Sequence, residues 1–287
     1  MKSDKRMLVA GGDMRQLYCA LRLSEKYETY IIGFDSKYTA HFPQLGKADL
    51  SDKFSRIILP VPPLDGCGMI NCPCCAESLS TDNAAEMLSP DGTVFAGKID
   101  CSLREIFPRA ELIDYMSREE LSLFNAIPTA EGAVQIALEE LPVTLNGLKV
   151  LVVGCGRIGT ALIHILKGFG ADITVAVRNQ SGFAKAKMLG IKACLTDDMP
   201  DDSGLVFNTV PSLIFSRGRL MNSDKNTLYI DLASKPGGFD FSAAAELGIK
   251  VIWALGLPGR TAPITSGEMI AETIDGILTE RGENNGI

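Results

Sequence analysis

The run Lys149–Val153 passes directly into Gly154-Cys155-Gly156-Arg157-Ile158-Gly159, and that glycine pattern opens a helix. Few folds place these three features in succession. The glycines let a main chain turn tightly between strand and helix and approach a pyrophosphate, whose charge then rests on the unpaired N–H groups of the helix start. The helix is legible from its apolar spacing. Ile158, Ala161, Leu162, Ile165, Leu166 and Phe169 form one stripe, and Gly168 and Gly170 end it. A GxGxxG alone is a weak signal, but this context is the one the motif requires.

Around the motif the second half repeats one grammar of apolar strand, turn and helix. Lys149–Val153, Ile173–Val177, Lys192–Leu195, Leu205–Asn208, Leu228–Leu232 and Lys250–Ala254 read as short strands. Continuous apolar strands alternating with helices imply a parallel sheet covered on both faces. Six such strands predict a complete doubly wound dinucleotide-binding Rossmann fold.

The first half is looser. Arg6–Ala10, Glu28–Gly33, Arg56–Leu59, Thr93–Ala96 and Ala110–Ile113 read as strands, and a helix capped by Asp13 runs through Met14, Leu17, Tyr18 and Leu21. These predict a smaller flavodoxin-like α/β domain over residues 1–127. Residues 128–287 would hold an interdomain helix, the Rossmann domain and a closing C-terminal helix. The interdomain helix carries Ala130, Ala133, Val134, Ala137, Leu138 and Leu141 on one stripe, with Thr129 expected as its N-cap. Thr265-Ser266-Gly267-Glu268 reads as a capping box opening the last helix, which would pack on the first domain through Ile270, Ile274, Ile277 and Leu278. The tail from Gly282 is polar and expected to fray.

Composition narrows the function classes. A net charge of −7, with no basic block and few aromatics, argues against nucleic acid. No stretch reaches the roughly 18 apolar residues of a membrane helix. The charged start Met1-Lys2-Ser3-Asp4-Lys5-Arg6-Met7 lacks an apolar leader segment, which points to the cytoplasm. Eight cysteines in 287 residues do not make a disulfide framework, so free thiols are expected.

The strand after the glycine motif discriminates between coenzymes. An NAD site usually ends that strand with Asp or Glu for the ribose 2′-OH. Here it ends Val177-Arg178-Asn179-Gln180-Ser181. Arg178 suits a 2′-phosphate, and Asn179 and Ser181 add donors, so NADP is expected over NAD; a merely solvated Arg178 is the alternative. Together with Gly154, Gly156, Arg157, Ile158 and Gly159, the later strand-end residues Asn208, Thr209, Val210 and Pro211 complete the expected coenzyme contacts.

Several blocks resemble a known family, the A subunits of dipicolinate synthase. They are Gly11-Gly12-Asp13-Met14-Arg15-Gln16, Ile57-Ile58-Leu59-Pro60-Val61, Asn125-Ala126-Ile127-Pro128-Thr129-Ala130-Glu131-Gly132, Asn208-Thr209-Val210-Pro211-Ser212, Asp231-Leu232-Ala233-Ser234-Lys235-Pro236-Gly237-Gly238 and Gly256-Leu257-Pro258-Gly259-Arg260-Thr261-Ala262-Pro263. The resemblance implies NADP-dependent oxidation of a dihydrodipicolinate-type precursor in the mother cell of a sporulating bacterium. It also implies a second, flavoprotein-like subunit of dipicolinate synthase as partner. Association with further copies of the chain stays open. The stretch Cys67 to Cys75 is richer in cysteine than the family suggests.

A dicarboxylate precursor needs cations or N–H groups. Arg15, at a helix start after Gly-Gly, is a candidate facing the interdomain cleft, as are Arg260 and Lys235 on strand-end loops; a solvated surface role competes for each. Asn125, Thr129 and Ser234 are further substrate candidates, with Thr129 a plain cap as its alternative. Glu131 lies about 90° from the apolar stripe, so it is a candidate proton acceptor beside Lys235, or a first-turn carboxylate of ordinary kind. His164 lies about 130° from its helix's apolar mean and His41 sits in a loop, so neither is favoured for catalysis. Cys72 and Cys75 make one CxxC without a second pair, and no metal is expected. The competing functions are a 2-hydroxy-acid or shikimate-type dehydrogenase, and a non-catalytic nucleotide-sensing subunit.

Overall fold

A run such as Val150–Val153 has no polar side to turn to water, so helices must cover both faces of its sheet. The computed structural model describes Arg6–Glu283. The charged start up to Lys5 and the end of the polar tail from Asn284 lie outside the described residues. The chain divides into two compact units, one of residues 1–125 with 262–287, the other of residues 126–261.

The first unit holds β1 (Arg6–Ala10), β2 (Glu28–Ile32), β3 (Gly46–Lys47), β4 (Phe54–Ile58), β5 (Leu88–Ala96) and β6 (Glu111–Asp114). All pair in parallel, in the order β3-β2-β1-β4-β5-β6. The strands expected from sequence do not include β3, two residues long and opening on glycine. Without it the order is the flavodoxin-like one, and β3 extends it to the doubly wound order of six. Alternation along β1 serves both faces. Met7 and Val9 pack with Leu17, Ile270 and Ile274, while Leu8 and Ala10 pack with Ile57, Met87 and Leu103.

The second unit holds β7 (Lys149–Val153), β8 (Asp172–Val177), β9 (Lys192–Leu195), β10 (Leu205–Asn208), β11 (Leu228–Asp231) and β12 (Val251–Trp253). Their parallel order is β12-β11-β10-β7-β8-β9, so the strand order reverses between β7 and β10. Val150 and Val152 pack with Leu162, Leu166, Ala133 and Ala137 on one face. Leu151 and Val153 pack with Phe215, Phe239 and Ala243 on the other. Each fully buried aliphatic side chain of this kind contributes about 1.5–3 kcal/mol.

Two helix starts differ from expectation. The long helix spans Glu119–Glu140 with Pro128 inside it, so Thr129 is a buried mid-helix residue and no cap, and Glu131 is not in a first turn. An interior proline costs about 3 kcal/mol. Burial of Leu121 and Ala126 before it and of Ala130 and Ala133 after it offsets that cost. Leu138, counted in the stripe, is half exposed. The C-terminal helix begins at Pro263, two residues before the expected capping box, with no side-chain cap. Proline suits that first position because its missing N–H has no intrahelical partner anyway. Ser266 is buried instead of capping.

The C-terminal helix belongs to the first unit and not with residues 128–261. Ile270, Ile274, Ile277 and Leu278 are buried there as expected. A Cβ on Gly267 would stand 2.4 Å from the Arg15 carbonyl oxygen and 2.7 Å from Tyr18 Cβ, so the two helices meet where a side chain is missing. Gly267→Ala should therefore destabilise the first unit by about 1–3 kcal/mol, read as a lower Tm in thermal unfolding.

Candidate functional site

Ligands of an open parallel sheet lie at the carboxyl ends of its strands, where the order reverses. In the second unit that edge carries the glycine motif, and its three glycines do different work. Gly154 has φ +99°, and a Cβ there would stand 2.4 Å from Thr209 Oγ1. A Cβ on Gly159 would stand 2.1 Å from the Gly154 carbonyl oxygen, so this glycine seats the helix Arg157–Gly168 against the strand end. Gly156 caps that helix in extended geometry, and a Cβ there would meet nothing within 4 Å. The only protein-free approach among the three is thus at the helix N-terminus, where a pyrophosphate would sit. The residues present fit a dinucleotide.

Beside the motif lies a cavity of about 380 Å³. Gly154, Cys155, Arg178, Asn179, Ser181 and Lys185 line it, along with Val210. Arg178, just after β8, and Ser181, in the first turn of the following helix, are exposed, as a ligand contact requires. Asn179 Oδ1 accepts from Gly182 N at 3.1 Å and so caps the helix Gln180–Met188, which leaves the amide N–H groups to donate. Lys185 is not among the residues that sequence reasoning singles out. It lies four residues after Ser181, one helical turn along, and that spacing is the available signal.

The expected contacts from β10 divide. Val210 lines the cavity. Thr209 Oγ1 donates to Val153 O at 2.9 Å, and Pro211 is exposed outside the lining. Asn208 is fully buried, and its side chain is spent within the protein. Its Nδ2 donates to Asp231 Oδ1 (2.7 Å) and Val210 O (3.0 Å), and its Oδ1 accepts from Val210 N (3.2 Å). Asn208 is therefore a loop organiser and not a coenzyme contact. Asp231, equally buried, also accepts from Ala233 N (3.1 Å) and Gly238 N (2.8 Å), which fixes the loop that carries Ser234 and Lys235. Sequence reasoning passes over Asp231 because a strand-end carboxylate looks the same whether it binds ligand or backbone. Arg157 is exposed at the first helical position, and Ile158 is half-buried beneath the motif.

Among the substrate candidates, Glu131, Ser234, Lys235 and Arg260 are exposed, Asn125 is half-buried and Thr129 is buried. Arg15 is already engaged. Its Nε and Nη2 donate to the Asp13 carboxylate at 2.8–3.1 Å, and the same carboxylate caps the helix by accepting from Arg15 N at 3.0 Å. A carboxylate ligand at Arg15 would have to share the guanidinium with Asp13.

Burial pushes the Cys72 thiol up to about 11 and raises those of Cys74 and Cys75, so all three are protonated at neutral pH. Among the described residues no group of three or more His, Cys, Asp or Glu side chains is arranged to hold a metal ion. Both histidines are exposed. No described helix is long and apolar enough to cross a membrane.

The family of N-terminal domains of the dipicolinate synthase A subunit matches residues 6–116, and the NAD-binding domain of D-isomer specific 2-hydroxyacid dehydrogenases matches residues 129–225. The dipicolinate synthase A subunit of Bacillus subtilis (strain 168) is 31% identical over 292 residues, covering 98% of each chain. A crystal structure of the dipicolinate synthase A subunit from Bacillus halodurans superposes with a TM-score of 0.87 at 28% identity, covering 97% of this chain and 99% of that one. The Bacillus subtilis crystal structure gives 0.84 at 30% identity, covering 96% of each. The second unit is a nicotinamide-dinucleotide-binding domain of the dehydrogenase type.

The glycine geometry separates two variants. Gly156→Ala should fold with an unchanged Tm but lose dinucleotide affinity, measured by calorimetry, because its Cβ fills only the ligand's approach. Gly159→Ala should lower the Tm itself, because its Cβ collides with the Gly154 carbonyl.

Proposed function

Because the chain belongs to the family of dipicolinate synthase A subunits, we propose that it oxidises a dihydrodipicolinate-type precursor to dipicolinate with NADP. The observation that carries the coenzyme choice is the end of β8, which has no acid and puts Arg178 and Lys185 on one cavity. A 2′-phosphate there meets two cations and the Ser181 and Asn179 donors, whereas an NAD ribose would find no carboxylate to accept from its hydroxyl. Gly154, Gly156 and Gly159 would hold the pyrophosphate. A nicotinamide coenzyme held there would supply the hydride acceptor.

The rest falls to side chains of this chain. Removing hydride from a ring close to aromaticity runs downhill, so orientation and one proton transfer are the tasks left to the protein. Lys235 on a strand-end loop, Arg260 on the short helix Leu257–Thr261 that follows the last strand, not on the loop expected from sequence, and Arg15 in the first unit are the proposed carboxylate holders. Asn125, Thr129 and Ser234 are the proposed neutral contacts. Glu131, whose side chain is exposed, is the proposed proton acceptor, with Lys235 beside the reacting ring. A second, flavoprotein-like subunit is the proposed partner and the mother-cell cytoplasm the proposed site of action. A 2-hydroxy-acid dehydrogenase reading draws on the match of residues 129–225, but no histidine is placed to serve it, since His164 lies on the exposed side of its helix and His41 on an exposed loop.

NADPH should form, read at its absorbance, when precursor, NADP, this chain and its flavoprotein-like partner are combined. No dipicolinate under those conditions would overturn the reading. Arg178→Ala and Lys185→Ala should each raise KM for NADP about 10- to 100-fold and leave KM for NAD unchanged. Equal use of NAD by the unaltered chain would sink the coenzyme choice alone.

A further inference from the structure

The first sheet also reverses its strand order, between β1 and β4, and a second crevice belongs at that carboxyl edge. Gly11 and Gly12 leave β1 with φ +70° and +106°, and the helix Met14–Leu23 follows. A cleft of about 20 Å³ lies there, lined by Gly12, Asp13, Arg15, Gln16, Pro60 and Asn71 among others. That is room for one water-sized group, such as a hydroxyl or an N–H edge.

Gln16 is the anomaly of this cleft. It is 2% exposed, and its Nε2 donates to Leu59 O at 3.0 Å, but its Oε1 is buried with no hydrogen-bond partner. A buried acceptor left bare is costly, and the exceptions in native proteins call for a missing donor. Leu59 O does not depend on Gln16, because Tyr115 Oη donates to it at 2.8 Å as well. Beside Gln16 stand one guanidinium, Arg15, and one carboxylate, Asp13, hydrogen-bonded to each other. The set therefore offers a cation for a ligand carboxylate and a free acceptor for a ligand N–H or O–H.

We infer that the ring substrate presents one edge to this cleft and that Gln16 Oε1 accepts a hydrogen bond from a ring N–H or O–H of the reduced precursor, so that the site selects precursor over aromatic product. The inference rests on the proposed oxidation. Pyridine-2,6-dicarboxylate has carboxylates for Arg15 but no N–H on its ring nitrogen. On becoming aromatic, the ring leaves Gln16 Oε1 without its donor, and product affinity falls.

The test is calorimetry on the full chain with NADP saturating. The probes are piperidine-2,6-dicarboxylate, which carries ring N–H, and pyridine-2,6-dicarboxylate, which does not. The unaltered chain should bind the piperidine at least about tenfold more tightly. Gln16→Met keeps the side chain's length and removes the acceptor. It should bring the two affinities within about threefold while leaving the Tm equal or higher, since Leu59 O keeps Tyr115. Equal affinities in the unaltered chain overturn the inference whether or not the variant folds, and so does a preference that survives Gln16→Met. Either result would leave Gln16 Oε1 to a buried water. Binding of neither probe would overturn both the inference and the substrate half of the proposed function, whereas NADPH formation without any probe preference would overturn the inference alone.

Discussion

The second unit depends on how closely Gly159 approaches the carbonyl oxygen of Gly154. With a Cβ at that position 2.1 Å from the oxygen, no other residue lets the helix start so near the strand end. This closeness aims the first N–H groups of the helix at the open side of Gly156. It also holds Gly154 against Thr209, so that β7 and β10 present one edge where the sheet order reverses. Dinucleotide binding by the second unit depends on that approach.

Buried polar groups organise the neighbouring loops. Asn208 and Asp231 are register partners on β10 and β11, both fully buried, and neither can be left unpaired. Their mutual bond and their bonds to Val210, Ala233 and Gly238 set the course of two strand-end loops. Ser234 and Lys235 are left exposed as a result, while the polar strand-end residues that look most like ligand binders are the structural ones. The first unit repeats the doubly wound order but treats its edge differently. Asn71 O, on the cysteine-rich loop, accepts from Gly12 N at 2.8 Å, and Cys72 Sγ lies where a Cβ on Gly11 would stand 2.6 Å away. The cysteine-rich loop thus packs against the glycine turn through Asn71 and Cys72 and leaves only a narrow cleft beside it.

Much of this was legible from residue order. The strands β1, β7, β9 and β10 fall on the residues that their apolar runs predict, and Asp13 caps the first helix as its position before Met14 implies. Rules for helix ends were less dependable. Pro128 and the Thr265–Glu268 pattern are local signals, and both were overridden by the burial of flanking side chains, which local patterns do not record. Lys185 could have been found by stepping one turn from Ser181, but only the position of the cavity gives that step meaning. Leu138 has the spacing of a core residue and half its surface in solvent, because helical phase tells which residues share a face and not how far the covering extends.

The amino-acid order by itself determined the parallel α/β architecture, the place of the dinucleotide crossover and the absence of an acid after β8. Each follows from short-range rules of side-chain period, glycine conformation and charge. Tertiary structure alone decided that Asn208 and Asp231 face each other and that Gln16 keeps a bare buried acceptor. Those facts arise from pairings across strands and turns. Whether a polar atom is satisfied depends on the neighbours that the completed fold brings to it.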